Sequence, residues 1–346
     1  MKGVTIRDVA READVSVASV SRALNGVGRV GPETRTRILR AAERLRYVPH
    51  EGARSLSTRR SSIIGVLLPD LHGEFFSELL RGADAAARAE GLQLLVSTSH
   101  GDLDEAATAL RSMQGRVDGL LLMSPHLDEE FLERNVPAGV PALLLNERRC
   151  PSRPALAVAD YDAAVVMTRH LAGGGRRRVA HVAGPASNAD AAERLRGYLA
   201  ARPEALGDAY VVRGDFSMAS GYAAGLQLAA LSPRPDAIFA ANDMMAVGCI
   251  GALADARVPV PDEIAVGGFD DVPLSSLVRP ALTTMRTDVA RLGGRALERL
   301  AGVIERPDAG DRSVEVITPE LIVRDSCGRG GRSQAPASGA EQGRLK

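Results

Sequence analysis

Positive charge is the first chemistry this chain offers, and it is gathered at one end. Residues 1–60 hold thirteen Lys or Arg side chains against six Asp or Glu. Over all 346 residues Lys+Arg and Asp+Glu are both 43, so the remainder carries the matching excess of negative charge. Guanidinium groups pair with phosphate oxygens and, bidentately, with guanine edges. A basic head on an acidic body therefore points to a polyanion met by the head alone. From charge by itself, a merely solvated basic face stays open. Catalytic constellations are missing. The only lysines are Lys2 and Lys346, which excludes a Walker A loop and a Schiff-base lysine in the body. Neither His-Glu-x-x-His nor Gly-x-Ser-x-Gly occurs. Cys150, Cys249 and Cys327 are far apart and odd in number, so they form no metal spacing and no disulfide framework. The six histidines are scattered, and we expect no metal and no cofactor.

The basic end reads as three short helices. Thr5 can cap the first, with Asp8 as the acid of a capping box, and Ile6, Val9, Ala10 and Ala13 share one face. After a tight turn at Asp14-Val15-Ser16, Ser16 can cap a second helix from Val17 to Leu24, ended by Asn25-Gly26. Pro32 opens a third, where Ile38, Ala41, Ala42 and Leu45 recur at helical spacing. Two short helices about a tight turn with a supporting third make a helix-turn-helix. A short stretch, residues 50–58, leads into Arg59-Arg60-Ser61-Ser62, which reads as a linker; it has little apolar surface and would be marginal as an isolated helix.

From Ile63 onward apolar runs alternate with helical segments. The runs are Ile63–Leu68, Leu92–Ser97, Gly119–Met123, Pro141–Leu145, Arg178–Ala183, Ala237–Ala240 and Ile264–Gly267. The helices include Phe75–Glu90, Leu103–Gln114, Asp162–Ala172 and Met244–Ala254. Such alternation predicts parallel sheets covered on both faces, and the length requires two such units with a cleft between them. At 45% hydrophobic and 25% charged the composition is that of a globular chain. The tail is Gly, Ser, Ala, Pro and Gln with scattered charge and reads as disordered, with no heptads for a coiled coil. No apolar run reaches membrane-spanning length and no leader precedes the head, so a cytoplasmic protein with no membrane contact is expected.

The sequence resembles the lactose/galactose repressor family over residues 3–326. The resemblance is carried by Val4-Thr5-Ile6-Arg7-Asp8-Val9-Ala10, by the run from Val15 to Asn25, and by Tyr47-Val48-Pro49 followed by Ala53-Arg54-Ser55-Leu56. In the body it is carried by Val182-Ala183-Gly184-Pro185, Ala241-Asn242-Asp243-Met244 and Gly267-Gly268-Phe269-Asp270-Asp271. It implies an all-α headpiece plus an α/β body of two doubly wound parallel-sheet subdomains, as in periplasmic binding proteins. The expected parts are a headpiece at 1–48, a hinge helix and linker at 49–60, and an effector-binding, dimerising body at 61–326. Within the body one subdomain takes about 61–160 and 288–318, the other about 161–287 and 319–326. Residues 327–346 form the disordered tail.

Applied to the head, the resemblance lays the second helix in the major groove. Val17, Ala18, Ser21 and Arg22 then meet base edges, Arg22 a guanine and the apolar pair thymine methyls, in the manner of the galactose rather than the lactose branch. Core packing is the alternative for Val17. Thr5, Ser16, Asn25, Arg29 and Thr34 are candidate phosphate partners, and Tyr47 and Ala53 belong to the matching motif. Leu56 is implied to wedge into the central step of the operator through the minor groove, against the alternative that it packs on the body.

In the body, the family's pocket positions fall on Asn146, Arg194, Phe216, Asn242 and Asp270. Arg and Asp can bracket adjacent hydroxyls, and a phenyl ring suits a sugar's C–H face. Asp70, Phe75 and Phe76 lie just beyond a strand and can close the cleft, although Phe75 can equally be core. Asn242 and Asp243 precede a helix. The resemblance alone assigns the cap to Asp243 and ligand contact to Asn242. Asp271 is left out as a possible cap of the segment after it. Met123 stands where the lactose repressor has a polar side chain, so ligand identity does not carry over.

These features describe a homodimeric regulator of transcription, by default a repressor of carbohydrate-utilisation genes, bound to a near-palindromic double-stranded operator and controlled by a small sugar. A purine or phosphorylated-sugar effector is the alternative within the class. A sugar-binding protein without regulatory function leaves the basic head unexplained. An enzyme using Asp270 and Asp271 as an acid pair meets the difficulty that adjacent residues point apart. Leu56→Ala should keep its fold and lose much of its operator affinity in a fluorescence-anisotropy titration. Near-native affinity would remove the wedge.

Overall fold

The computed structural model describes residues 4–25, 30–47, 60–124, 127–146, 152–173, 175–203, 210–306 and 311–328. Two compact units result, one of residues 1–63 with 115–118, the other of 64–114 with 119–346. Ala53 and Leu56, with most of the expected hinge, lie outside the described residues, as do Arg29 and the side chain of Asn25.

The first unit is three helices, α1 (Ile6–Glu12), α2 (Val17–Asn25) and α3 (Pro32–Arg44). Val9, Ala10, Ala13, Val20, Ala23, Ile38, Ala41 and Ala42 form its small core, with Ile6, Val15, Leu24, Leu45 and Tyr47 packed around it. Asp8 accepts the backbone N–H and the hydroxyl of Thr5 at 2.9 and 2.7 Å, closing the start of α1. Asp14 takes the left-handed backbone (φ 49°) that the tight turn needs, and Pro32 occupies the first turn of α3.

The second unit contains two six-stranded sheets. Its elements run β1 (Ile63–Leu68), α4 (Glu74–Ala89), β2 (Gln93–Thr98), α5 (Leu103–Met113), β3 (Gly119–Leu122), α6 (Glu129–Asn135), β4 (Ala142–Leu145) and β5 (Ala155–Val158). They continue with α7 (Asp160–Ala172), β6 (Val179–Ala183), α8 (Ala189–Ala201), β7 (Val211–Arg213), α9 (Met218–Ala229), β8 (Ala237–Ala240), α10 (Asp243–Asp255) and β9 (Ala265–Asp270). The last are α11 (Leu274–Leu277), β10 (Thr283–Arg286), α12 (Val289–Glu305), β11 (Val314–Ile317) and β12 (Glu320–Ile322). The first sheet has the order β11-β5-β4-β3-β1-β2, the second β12-β10-β9-β8-β6-β7. The chain therefore passes from one sheet to the other after β5, after β10 and after β11.

Central strands are wholly buried, which is why they read as unbroken apolar runs. The sheets are parallel as expected, apart from β12 at one edge, which pairs antiparallel with β10. One expectation needs correction. Cys327 does not belong to the tail: it is buried, its sulfur lies 3.2 Å from His170 Nε2, and it accepts the Thr283 hydroxyl at 3.1 Å. Among the described residues no helix is long and apolar enough to cross a membrane.

His181 sits at the centre of β6 with no exposure. Its Nδ1 lies 2.8 Å from the Phe239 carbonyl and its ring stacks on Tyr198 at 4.8 Å. Burial pushes its pKa down to about 3 from 6.5. The ring is thus neutral in the fold, and its contribution to stability is full above pH 6.5 and lost as pH falls from there toward 3. Asp243, whose pKa burial raises to about 7, acts with the opposite sign, contributing below its unfolded value and losing that as pH rises through 7. The difference between wild type and His181→Gln isolates the histidine. Between pH 6.5 and 5 wild type should lose about 2 kcal/mol relative to the variant in urea unfolding; parallel pH profiles would contradict this.

Candidate functional site

The head presents one helix face to solvent. Ser16 Oγ accepts the Ser19 N–H at 3.1 Å and starts α2, which turns Val20 and Ala23 inward. The opposite face carries Val17, 41% exposed, with Ala18 and Arg22 also exposed and Ser21 half-buried. Core packing is thereby excluded for Val17. Arg22 Nε donates to the Ala18 carbonyl at 3.2 Å, which lays its guanidinium along that face. Thr5 is exposed and Thr34 half-buried near the start of α3, whereas Tyr47 is half-buried against the head's core. The capped N-terminus of α2, with its unsatisfied N–H groups, favours an anion.

In the body the site collects where parallel strands end. Arg194, on α8, is 5% exposed. Its Nε donates to Asp160 Oδ1 at 2.7 Å, a terminal nitrogen to the Ala241 carbonyl at 2.6 Å, and another nitrogen stands 3.7 Å from Asp270 Oδ1. The guanidinium lies over the Phe269 ring at 3.7 Å. Burial works against its charge, but Asp160, Asp270 and Asp190 outweigh it and hold the pKa above the ordinary value. Asp270 closes β9 and is 4% exposed. Burial drives its carboxyl well upward, and Arg194 only partly opposes this.

The other pocket positions join this network. Asn146, one residue past β4, donates through Nδ2 to Asp190 Oδ2 at 2.9 Å, a bond that spans from the first-sheet half to α8. Asn242 Oδ1 accepts the Met245 N–H at 3.0 Å, and its Nδ2 donates to the Phe216 carbonyl at 3.0 Å. Asn242 is therefore the cap of α10, which corrects the assignment of that role to Asp243. Asp243 is fully buried instead, accepting from the Val272 N–H and from the hydroxyls of Ser275 and Thr284 at 3.0, 2.6 and 2.5 Å. Phe216 is seated against Gly184, where an added Cβ would meet the ring at 2.5 Å.

Asn146, Phe216 and Asp270 all have positive φ, at 57°, 70° and 108°. Left-handed backbone costs on the order of 1–3 kcal/mol at non-glycine residues and concentrates at functional sites. Sequence reading missed Asp160 and Asp190. Asp160 follows β5, whose alanine-rich Ala155–Val158 gave no strand signal, so a carboxylate at a strand end went unseen. Asp271 is held by Arg286 and Arg324 at 2.7 and 2.6 Å.

Among the described residues, none of the hydrogen bonds or ring contacts of Asp70, Phe75 and Phe76 reaches the Arg194 network. Asp70 accepts from the amides of Leu71 and His72 in its own turn. Burial would raise its carboxyl, yet these bonds hold it below the usual range. Phe75 and Phe76 meet edge to face at 5.3 Å and pack, half-buried, on the core. Among the described residues no group of three His, Cys, Asp or Glu side chains is placed to hold a metal.

Comparison with known proteins bears on both halves. A family signature described as bacterial regulatory proteins, lacI family, matches residues 5–50, and one described as a periplasmic binding protein-like domain matches 168–327. The catabolite control protein A of Priestia megaterium is 33% identical, over 93% of this chain and 99% of that protein. The ribose operon repressor of Escherichia coli K12 is 34% identical over 93% and 99%. The HTH-type transcriptional repressor PurR of Photobacterium profundum is 31% identical over 93% and 98%. Among solved structures, the lac repressor dimer bound to operator and an anti-inducer superposes with a TM-score of 0.84 at 29% identity, over 94% of this chain and 99% of that one. A complex of the regulator CelR with cellobiose gives 0.69 at 28% identity, over 93% and 99%.

Removing the cation would leave Asp160 and Asp270 buried without compensation. Arg194→Ala should destabilise the body by about 3–5 kcal/mol in urea unfolding, and adding Asp160→Asn should restore part of that. A single variant unfolding at the wild-type midpoint would show that the cluster does not hold the fold.

Proposed function

The chain belongs to the bacterial lacI family of regulatory proteins, and on that premise we propose that it represses carbohydrate-utilisation genes under control of a small sugar bound in the body. Its relatives of known name are transcription regulators, not enzymes. The observation that carries the sugar reading is the network of Asn146, Arg194, Asn242 and Asp270 beside the Phe216 ring at the ends of parallel strands, where α/β folds bind ligands. Adjacent hydroxyls fit such paired acceptors and donors, and a phenyl ring fits a C–H face.

On the DNA side, α2 enters the major groove, Arg22 bonds a guanine edge, and Val17 and Ala18 meet thymine methyls. The exposure of Val17, an apolar residue left 41% open among the described residues, supports this reading. Ser16 and Thr34 position the helix on phosphates, and Leu56 wedges the central step. A homodimer follows from a near-palindromic site. That contact is assigned to body helices, above all the one at residues 76–90, and Met218, Tyr222 and Leu226, which repeat every four residues along α9 and are all more than one-third exposed, offer a second apolar stripe for it. The expected partition into headpiece, hinge and body stands with this reading, as does a cytoplasmic location.

A glycosidase-type acid pair is disfavoured, because Asp271 is committed to two arginines while Asp270 faces a third. The test is an anisotropy titration on a palindromic operator with a central C-G step at fixed salt, since phosphate contacts make affinity salt-dependent. One sugar of a mono- and disaccharide panel should weaken binding about 5- to 150-fold. Affinity unmoved by every sugar would contradict the sensing half of the proposal.

A further inference from the structure

The last residues of the linker are fastened to one carboxylate. Asp118, half-buried just before β3, takes the Ser61 N–H and hydroxyl on Oδ1 at 2.6 and 2.8 Å and the Ser62 N–H on Oδ2 at 2.7 Å. Its own N–H donates to the Ile63 carbonyl at 2.8 Å. Ser62 is held in left-handed backbone, with φ 57°. At a non-glycine residue such backbone persists only where its surroundings enforce it, and the carboxylate on the Ser62 N–H is the enforcing group. Both oxygens of the carboxylate are needed for these donors. An amide in its place has one acceptor and turns N–H groups toward one of the serines.

The functions described above leave this clamp unused. Among the described residues its hydrogen bonds reach neither the solvent face of α2 nor the Arg194 cluster. Beyond Asp118 the chain enters β3 at Gly119, which pairs with Ile64 of β1. A Cβ at Gly119 would meet Ile304 at 2.7 Å and Leu300 at 3.3 Å, so the start of β3 is packed under α12. The other end of α12 follows the crossover after β10, where the Thr287 N–H donates to the Asp270 carbonyl at 3.3 Å. One helix of 17 residues thus runs from beside Asp270 to the strand that Asp118 leads into.

We propose that Asp118 is a positioning residue for DNA binding: it fixes the direction in which the linker departs, and the state of the body reaches the head through it. The inference rests on the reading above, in which the body controls the grip of the head. Residues 50–58 would be marginal as an isolated helix, so freedom at their C-terminal end adds to the cost of ordering them on DNA. Each residue released from a fixed backbone costs a factor of about 5 to 30 in an equilibrium. Unpinning Ser61 and Ser62 should therefore weaken operator binding about tenfold or more.

The test uses full-length Asp118→Asn, Ser61→Ala, which removes one donor from the linker side, and Asp118→Glu, which keeps the carboxylate. Affinity is read by anisotropy at fixed salt on the palindromic operator and on a scrambled duplex, which the head holds through phosphates. Folding is read by urea unfolding, and linker release by the rate of trypsin cleavage after Arg60. Asp118→Asn should unfold at the wild-type midpoint, bind operator about tenfold or more weakly, bind scrambled duplex as wild type does, and be cut faster. Ser61→Ala should move operator affinity and cleavage the same way by less, and Asp118→Glu should recover part of the loss. Wild-type affinity and cleavage in Asp118→Asn overturn the proposal, as does a loss of affinity that comes only with a lowered midpoint and is absent from Ser61→Ala. Where wild type responds to a sugar of the panel, that response should shrink in Asp118→Asn, and an undiminished response overturns the relay. Where no sugar moves wild-type affinity, the sensing half of the proposed function fails, and operator affinity and cleavage alone decide the clamp.

Discussion

One buried cation, Arg194, governs the ligand-binding half of this molecule. A guanidinium taken out of water costs several kcal/mol unless carboxylates repay it, and carboxylates as deep as Asp160 and Asp270 are equally costly without it. The group therefore fixes four elements at once: α8, which bears it; the start of α7 through Asp160; the end of β8 through the Ala241 carbonyl; and the end of β9 through Asp270. Those ends are where the remaining site residues hang. Asn242 follows Ala241 directly and holds the Phe216 carbonyl, so the position of the aromatic ring is inherited from the same ion cluster.

Such a centre is rigid within the second-sheet half, and among the described residues individual hydrogen bonds reach across to the first-sheet half. Asn146 reaches Asp190, and the Leu274 N–H donates to Glu74 at 2.9 Å. Hydrogen bonds of this kind contribute about 1 kcal/mol each net, which is the scale on which two closure states can be balanced. On the proposed function, a ligand bonded to both halves shifts that balance only by its differential affinity for the two states. The strained backbone at Asn146, Phe216 and Asp270 belongs to the same design: side chains are held at strand ends in directions that relaxed backbone would not give them.

Much of this was legible in the sequence because buried parallel strands leave long apolar runs. Ile63–Leu68 and Ala237–Ala240 have the expected bounds. What escaped had no such signature. β5 is alanine-rich, β7 has three residues, β10 is half threonine, and β11 alternates along an edge. The helix-turn-helix was readable from its caps and its turn. The proposed pocket residues came from family positions and not from any local pattern, which is why Asp160 and Asp190, outside those positions, were overlooked. The exchange of roles between Asn242 and Asp243 has a physical reason. Both residue types cap helices, and only the three buried donors around Asp243, brought from β10 and the segment after β9, decide which one turns inward.

The central claim is that occupancy of the cleft and grip on DNA are two readings of one equilibrium. Linkage makes that claim reciprocal: an effector that changes operator affinity by some factor must have its own affinity changed by the same factor when operator is bound. The most direct measurement is a calorimetric titration of the effector into free protein and into protein saturated with operator. The account predicts two dissociation constants whose ratio equals the change in operator affinity. Equal dissociation constants in the two titrations would contradict it.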